Sequence, residues 1–282
     1  MKQFLGKEEM KKIVIFTDMD GTLIDHDTYS FHDSLPAIEL TKQRSIPLVF
    51  CSSKTRAEIE EYRKKMDIFH PFVSENGGGI FIPKGYFQNP FPFDKEDEKY
   101  QIIELGTPYE TLCRVFREIR EELRLDIRGY SDMDPEEVSR ICGLKPKDAR
   151  LAGEREYDEP FLIASKEKRD REEELVEAIR KRGFGYTKGG RFFHLIGKND
   201  KGKAVEILSE LFKEEFADIK TIGIGDSTND KSLLERVDVP VLVQKPDGGY
   251  DPSVTVSGLI KADGIGPKGW NRFVTDYLKT AR

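Results

Sequence analysis

A β-branched apolar run, Lys12-Ile-Val-Ile-Phe16, stops abruptly at the polar stretch Thr17-Asp-Met-Asp-Gly-Thr22. A continuous apolar run bounded in this way predicts a strand buried on both faces of a parallel sheet. Helical spacing follows from Ser34 to Arg44, then a second buried strand from Pro47 to Cys51. Ser52-Ser-Lys-Thr-Arg56 ends that strand and leads into a predicted helix from Thr55 to Met66. Strand, helix, strand, helix in this order is the pattern of a doubly wound α/β sheet. A short strand from Phe72 to Ser74, a turn from Glu75 to Gly79 and a strand from Ile80 to Ile82 extend it.

The texture changes after Pro83. Residues 84–99 mix aromatics, prolines and charges without a period, as expected of a linker. A mixed module follows, with strands predicted at 101–105, 161–165 and 191–196 and helices at 109–123 and 168–181. The doubly wound pattern then resumes. A helix is predicted at 200–216, buried strands at 220–224 and 239–243, and a closing helix at 270–280. The expectation is a discontinuous core, residues 1–83 and 196–282, interrupted by an α/β module at 84–195.

Composition narrows the function classes. Apolar residues make up 37% of the 282 and charged ones 35%, with a net charge of −6, so no global basic field attracts nucleic acid. No apolar run approaches the roughly 18 residues that suggest a bilayer span, so no membrane partner is expected. Cys51, Cys113 and Cys142 form no CxxC pair, which suggests a reducing, cytoplasmic setting.

The candidate chemistry sits at strand ends. Asp18 and Asp20 follow the first strand, where open α/β sheets bind their ligands. One carboxylate can attack phosphorus as a nucleophile, and a second can protonate a leaving oxygen and later deprotonate water. Gly225-Asp-Ser-Thr-Asn-Asp230 places a second acidic cluster at another strand end. Carboxylate oxygens of this kind suit Mg2+, which would offset the repulsion between an anionic nucleophile and an anionic phosphate. Asp226 leads as ligand, with Asp18 and the backbone carbonyl of Asp20, while Asp230 supports the site directly or from behind. Ser52 and its neighbour Ser53 can hold a phosphate, although a Ser pair after a strand is by itself more often a helix cap. Lys201, at the start of a helix, would ordinarily be solvated.

The order acid pair, Ser52, Lys201, acid cluster resembles the haloacid dehalogenase superfamily. That resemblance implies an HAD-like core with Asp18 as nucleophile, Asp20 as general acid/base and Ser52 as phosphate ligand. Lys201 would then bridge nucleophile and phosphate, Asp226 and Asp230 would form the metal end, and the inserted module would be a C2-type cap. Phe50-Cys-Ser-Ser-Lys-Thr-Arg-Ala-Glu58, Ser74-Glu-Asn-Gly-Gly78, Arg155-Glu-Tyr-Asp-Glu-Pro-Phe161, Gly189-Gly-Arg-Phe-Phe-His194 and Asp263-Gly-Ile-Gly-Pro-Lys-Gly-Trp270 are similar to the mannosyl-3-phosphoglycerate phosphatase family. Membership would imply Mg2+-dependent release of phosphate from a phosphorylated sugar-glycerate, a step in making a compatible solute. Arg155, Lys188, Arg191 and His194 are the cap residues available to such a substrate, with Arg suited to a carboxylate. Lys54 and Arg56 read by default as a helix surface. A phosphatase for the glucosyl analogue or another sugar phosphate, a phosphomutase and a non-catalytic binding protein are the competing readings. The full acid set argues against the last.

Overall fold

The structure, a computed structural model, describes residues 11–163, 171–189 and 192–280. The ends of two predicted elements, 164–165 and 168–170, lie outside these residues, as does Arg191. Among the described residues, nine strands form one sheet in the order β13-β12-β11-β1-β2-β3-β4-β6-β5. They are β1 (Lys12–Thr17), β2 (Leu48–Cys51), β3 (Phe72–Ser74), β4 (Gly79–Pro83), β5 (Lys95–Glu96), β6 (Tyr100–Glu104), β11 (Ile219–Gly225), β12 (Val239–Gln244) and β13 (Ile260–Ile265). Pairing is parallel from β13 through β3 and antiparallel from β3 to β5.

Side-chain alternation decides which helices cover which face. Ile15, Leu48 and Phe50 pack with α1 (Leu35–Gln43), α2 (Arg56–Met66) and α9 (Pro267–Thr280). Val14, Phe16, Val49 and Cys51 face α7 (Lys201–Phe216) and α8 (Lys231–Leu234) on the other side. Both faces are therefore buried, which is why β1 and β2 read as unbroken apolar runs. Cys51 behaves there as a small hydrophobe, and burial pushes its thiol up.

A second sheet, β7-β8-β10-β9, is antiparallel throughout. Its strands are β7 (Ile127–Gly129), β8 (Asp158–Ile163), β9 (Gly185–Gly189) and β10 (Phe192–Ile196). Phe161, Phe193 and Leu195 bury one face against α3 (Tyr109–Leu123) and α6 (Glu172–Lys181). Phe192, on the opposite face, packs with Tyr130 and with α4 (Pro135–Cys142) and α5 (Pro146–Ala152).

The hydrophobic pattern and the structure differ at the first domain boundary. Residues 84–99 are not wholly a linker, and 100–104 do not belong to the inserted module, because β5 and β6 extend the nine-stranded sheet. Tyr100 and Ile102 are the cause, since both are buried in the cluster that holds Phe72 and Phe81. The short elements β7, α4, α5, β9 and β13 also escape the sequence pattern.

One contact ties the closing helix to the chemistry. Trp270, fully buried, donates from Nε1 to Thr17 Oγ1 at 3.0 Å, and Thr17 Oγ1 donates to the Asp18 carbonyl at 2.8 Å. Trp270→Phe is expected to lose about 1 kcal/mol through the missing hydrogen bond, and Trp270→Ala about 3–5 kcal/mol through the cavity. Urea unfolding of the two variants checks the ranking.

Candidate active site

Strand β1 delivers Asp18 to the sheet's C-terminal edge, where its N–H donates to Ile224 O on β11 at 2.9 Å. The chain then folds back at once, with the N–H groups of Thr22, Leu23 and Ile24 all reaching Met19 O. Gly21, at φ +75, makes that reversal possible, and the Asp226 carboxylate packs where a side chain at Gly21 would stand.

Lys201 leaves the first turn of α7 and ends between two acids. Its Nζ donates to Asp18 Oδ1 at 2.6 Å and to Asp230 Oδ1 at 2.7 Å, with all three groups buried. The other oxygen of Asp230 accepts the N–H groups of Asp226 and Ser227 at 3.0 and 3.2 Å. Asp230 thus spends both oxygens on Lys201 and on the loop that presents Asp226. Burial pulls the Lys201 ammonium down, yet Asp18 and Asp230 outweigh it and hold it above its ordinary range. Burial, then repulsion from Asp230, raises Asp18, and the same causes push Asp226 up to about 7.

A turn on the far side fixes α7. Gly77, at φ +89, lies so close to Asp200 that a Cβ there would stand 2.2 Å from its carbonyl oxygen. The Glu75-Asn-Gly-Gly-Gly79 segment is therefore a turn, as the sequence predicts, and its close approach sets where Lys201 enters.

The acid cluster fits a divalent cation. Ligand oxygens of Asp18, Asp226 and Asp230 all lie within 4.8 Å of one another. Three carboxylates against one ammonium leave excess negative charge in a desolvated place, and hard oxygen donors are what such a cation takes.

The segment after β2 differs from its default reading. Ser52 is buried, its N–H donates to Val73 O at 3.0 Å and its Oγ accepts the Lys54 N–H at 3.2 Å. Ser53 lines the cavity. Lys54 is not on a helix surface. It is buried, with Nζ 3.0 Å from Asp20 Oδ2 and 3.3 Å from Glu58 Oε1, between the rings of Tyr29 and Tyr62. The available signal was Glu58, four residues on in the first turn of α2, where it closes a capping box with Thr55. Arg56 does lie at the surface side, paired with Glu60 and Asp97.

Strand β10 brings His194, and the segment leading into β8 brings Arg155, to the same cavity. His194 Nδ1 lies 2.8 Å from Asp158 Oδ2, which accepts Asn76 Nδ2 at 2.9 Å. Asn76 Oδ1 in turn accepts Asn229 Nδ2 at 3.3 Å, so a polar chain runs from β10 to the Asp226 loop. Asp158 and Asn76 were not singled out by sequence. Asn76 sits at φ +55 in the Glu75 turn, a position that favours Asn. Arg155 Nη1 donates to Ser53 O and Nε to Ala152 O, at 2.8 and 2.9 Å. Lys188 goes elsewhere. It pairs with Phe193 in the sheet, on the face opposite His194, and its Nζ lies over the Phe193 ring.

Asp18, Asp20, Lys54, Arg155, His194 and Asp226 line one cavity of about 120 Å³ between the two sheets. The chain belongs to the haloacid dehalogenase-like hydrolases, whose family model matches residues 15–246. It is 48% identical over 267 residues to the glucosyl-3-phosphoglycerate/mannosyl-3-phosphoglycerate phosphatase of Methanococcoides burtonii, covering 95% of this chain and 97% of that one. A mannosyl-3-phosphoglycerate phosphatase of Pyrococcus horikoshii is 41% identical, over 82% of this chain and 90% of its own. A crystal structure from Thermoplasma acidophilum shares the fold, with a TM-score of 0.67 at 18% identity over 96% of this chain and 99% of that one. Among the described residues no helix is long and apolar enough to cross a membrane.

Glu75 yields a pH test of how the two parts are held. Its carboxylate accepts the N–H groups of Glu156 and Tyr157, both at 2.9 Å. Burial pushes it up from the ordinary 4.5 to about 8, with Arg155 opposing. A carboxyl raised on folding contributes stability below its unfolded value and loses it as pH rises through the folded one. Wild type is therefore expected to lose up to a few kcal/mol between about pH 5 and pH 8 relative to Glu75→Gln. Urea midpoints of both proteins across that window measure the difference.

Proposed function

We propose that the chain is a Mg2+-dependent phosphatase that releases phosphate from mannosyl-3-phosphoglycerate and its glucosyl analogue. The observation that carries the chemistry is Asp18, a strand-end carboxylate with one oxygen held by Lys201 at 2.6 Å and a cavity before it. The observation that favours the substrate is identity to relatives so named across both sheets, not the core alone. Two of those relatives carry both substrates in their names, which makes the glucosyl compound a second substrate of the same site.

In this reading Lys201 fixes Asp18 Oδ1 and leaves Oδ2 to attack phosphorus. The phosphorus–oxygen bond to the glycerate breaks, and Asp20 donates a proton to the departing oxygen. Asp20 then takes a proton from water as that water attacks the aspartyl-phosphate, which frees Asp18 and phosphate. Asp18, Asp226 and the Asp20 carbonyl would hold the Mg2+, with Asp230 behind them as anchor. The cation supplies charge neutralisation and orients the phosphate. Ser52 and Ser53 would bind phosphate oxygens, and Arg155 and His194 the remainder of the substrate. Lys188 has no part in this scheme.

The cavity of about 120 Å³ is smaller than the roughly 300 Å³ at which small-molecule sites begin. Substrate entry therefore requires the inserted module to swing away, and its return excludes water before attack.

Phosphate release from both glycosyl compounds, with Mg2+ and with a chelator, tests the reading. Chelation and Asp18→Asn are expected to abolish turnover, and Asp20→Asn to lower kcat by about 10²–10⁴. Full activity in Asp18→Asn would leave direct attack by water as the better account. Transfer of phosphate to a second sugar position, without net release, would turn the reading to a mutase.

A further inference from the structure

We infer that Lys54 and Arg155 form an anion site for the carboxylate of the leaving group, and that filling it releases Asp20 from Lys54. This deepens the phosphatase reading and rests on it.

The charges around the cavity are unevenly placed. Asp18, Asp226 and Asp230 gather at one end, with Lys201 buried behind them. Among the described residues two lysine or arginine side chains line the cavity, Lys54, paired with Asp20, and Arg155. They arrive from different parts of the fold. Lys54 follows β2 in the core, while Arg155 comes from the segment between α5 and β8. Arg155 Nη1 donates to the carbonyl of Ser53, the residue next to Lys54, at 2.8 Å, and both cations line the same cavity. Glu58 lies between them, and both cations pull its carboxyl below its ordinary range against burial.

Among the described residues, neither cation is saturated. Lys54 gives two of its three protons to Asp20 and Glu58. Arg155 gives two of its five N–H groups, both to backbone carbonyls, and its plane rests on the Tyr130 ring at 5.0 Å. Donors remain for one carboxylate, and a guanidinium and an ammonium lining the same cavity are a strong place for it. Asp20, by contrast, is caught. Its Oδ2 is 3.0 Å from Lys54 Nζ, and its buried Oδ1 has no partner among the described residues.

The glycosylglycerate leaving group carries its carboxylate two carbons from the oxygen that Asp20 must protonate. Seating that carboxylate on the free donors of Lys54 and Arg155 neutralises the ammonium and weakens its hold on Asp20. Asp20 is then free to turn its carboxyl group to the bridging oxygen. A phosphate ester without the carboxylate leaves Asp20 tied, and loses turnover as well as affinity. Binding energy from a non-reacting group is thus spent on assembling the reacting one.

The test compares mannosyl-3-phosphoglycerate with its reduced analogue, in which the carboxylate is a hydroxymethyl group. The readout is the ratio of kcat/KM for the two, with kcat and KM resolved separately. Wild type is expected to prefer the carboxylate in both parameters. Lys54→Met and Arg155→Gln should each shrink the ratio by about 10- to 100-fold, and the double variant by less than the product of the two. Lys54→Arg should retain more of the preference than Lys54→Met. An unchanged ratio in folded Lys54→Met overturns the inference. If that variant does not fold, wild type decides by inhibition. D-glycerate should compete at least tenfold better than glycerol, and equal inhibition overturns the inference as well. No phosphate release from either ester by wild type would instead sink the phosphatase reading.

Discussion

The ammonium of Lys201, held between Asp18 and Asp230 without access to water, is the constraint on which the rest of the site depends. Removing one partner from a buried ion pair costs about 3–5 kcal/mol, because the remaining charge is left in a medium that cannot solvate it. Each of the three side chains comes from a different strand or helix, so the pair sets the register of β1, α7 and the loop after β11 together. Asp18 gains a fixed orientation from it. Asp230 gives one oxygen to Lys201 and the other to backbone N–H groups, and so converts the same interaction into the shape of the loop that carries Asp226. What is left over is negative charge at the cavity end, which is the property a cation site needs.

The parallel core was legible because its strands are buried on both faces and have no polar alternation to confuse the reading. β1, β2, β11 and β12 could be placed from apolar runs, and the acids at their ends from the rule that ligands bind there. The boundary at Pro83 was not legible. β6 alternates as Tyr100 and Ile102 inward with Gln101 and Ile103 between, and nothing in five residues says which of two sheets it joins. That decision belongs to Phe72 and Phe81, whose stacked rings sit 5.5 and 5.9 Å from Tyr100. Short helices such as α5, seven residues long, carry too few turns to show a period.

The same division runs through the site. Asp18, Asp226, Asp230 and Lys201 converge as their motif order implies. Arg155 and His194 also reach the cavity, while the period of β9 turns Lys188 to the opposite face. Lys54 escaped because a lysine in the first turn of a helix is normally solvated, and only tertiary structure shows Tyr29, Tyr62 and Asp20 closing over it. Asp158 and Asn76 escaped for a related reason. Each is polar and buried, and its partners lie 36 and 82 residues away from Asp158 along the chain.

The contacts between the two sheets explain why recognition and catalysis need not be separate steps. Glu75 holds the backbone at Glu156 and Tyr157, Asn76 holds Asp158, and Arg155 holds Ser53. All three ties fall within four residues of the inserted module, 155–158, and meet turns that also carry Ser53, Lys54 and the entry to α7. A displacement of that segment therefore moves Arg155 and the His194 support together, relative to Asp18 and Asp20. On the proposed reading, opening the cavity would take apart its carboxylate end while Lys201 keeps Asp18 in place. Closure would restore it only when the segment reseats, and a ligand bridging Lys54 and Arg155 would add its own attraction to that reseating. On that reading a substrate with a carboxylate would stabilise the state in which the chemistry is shielded from water, whereas water alone provides no such bridge.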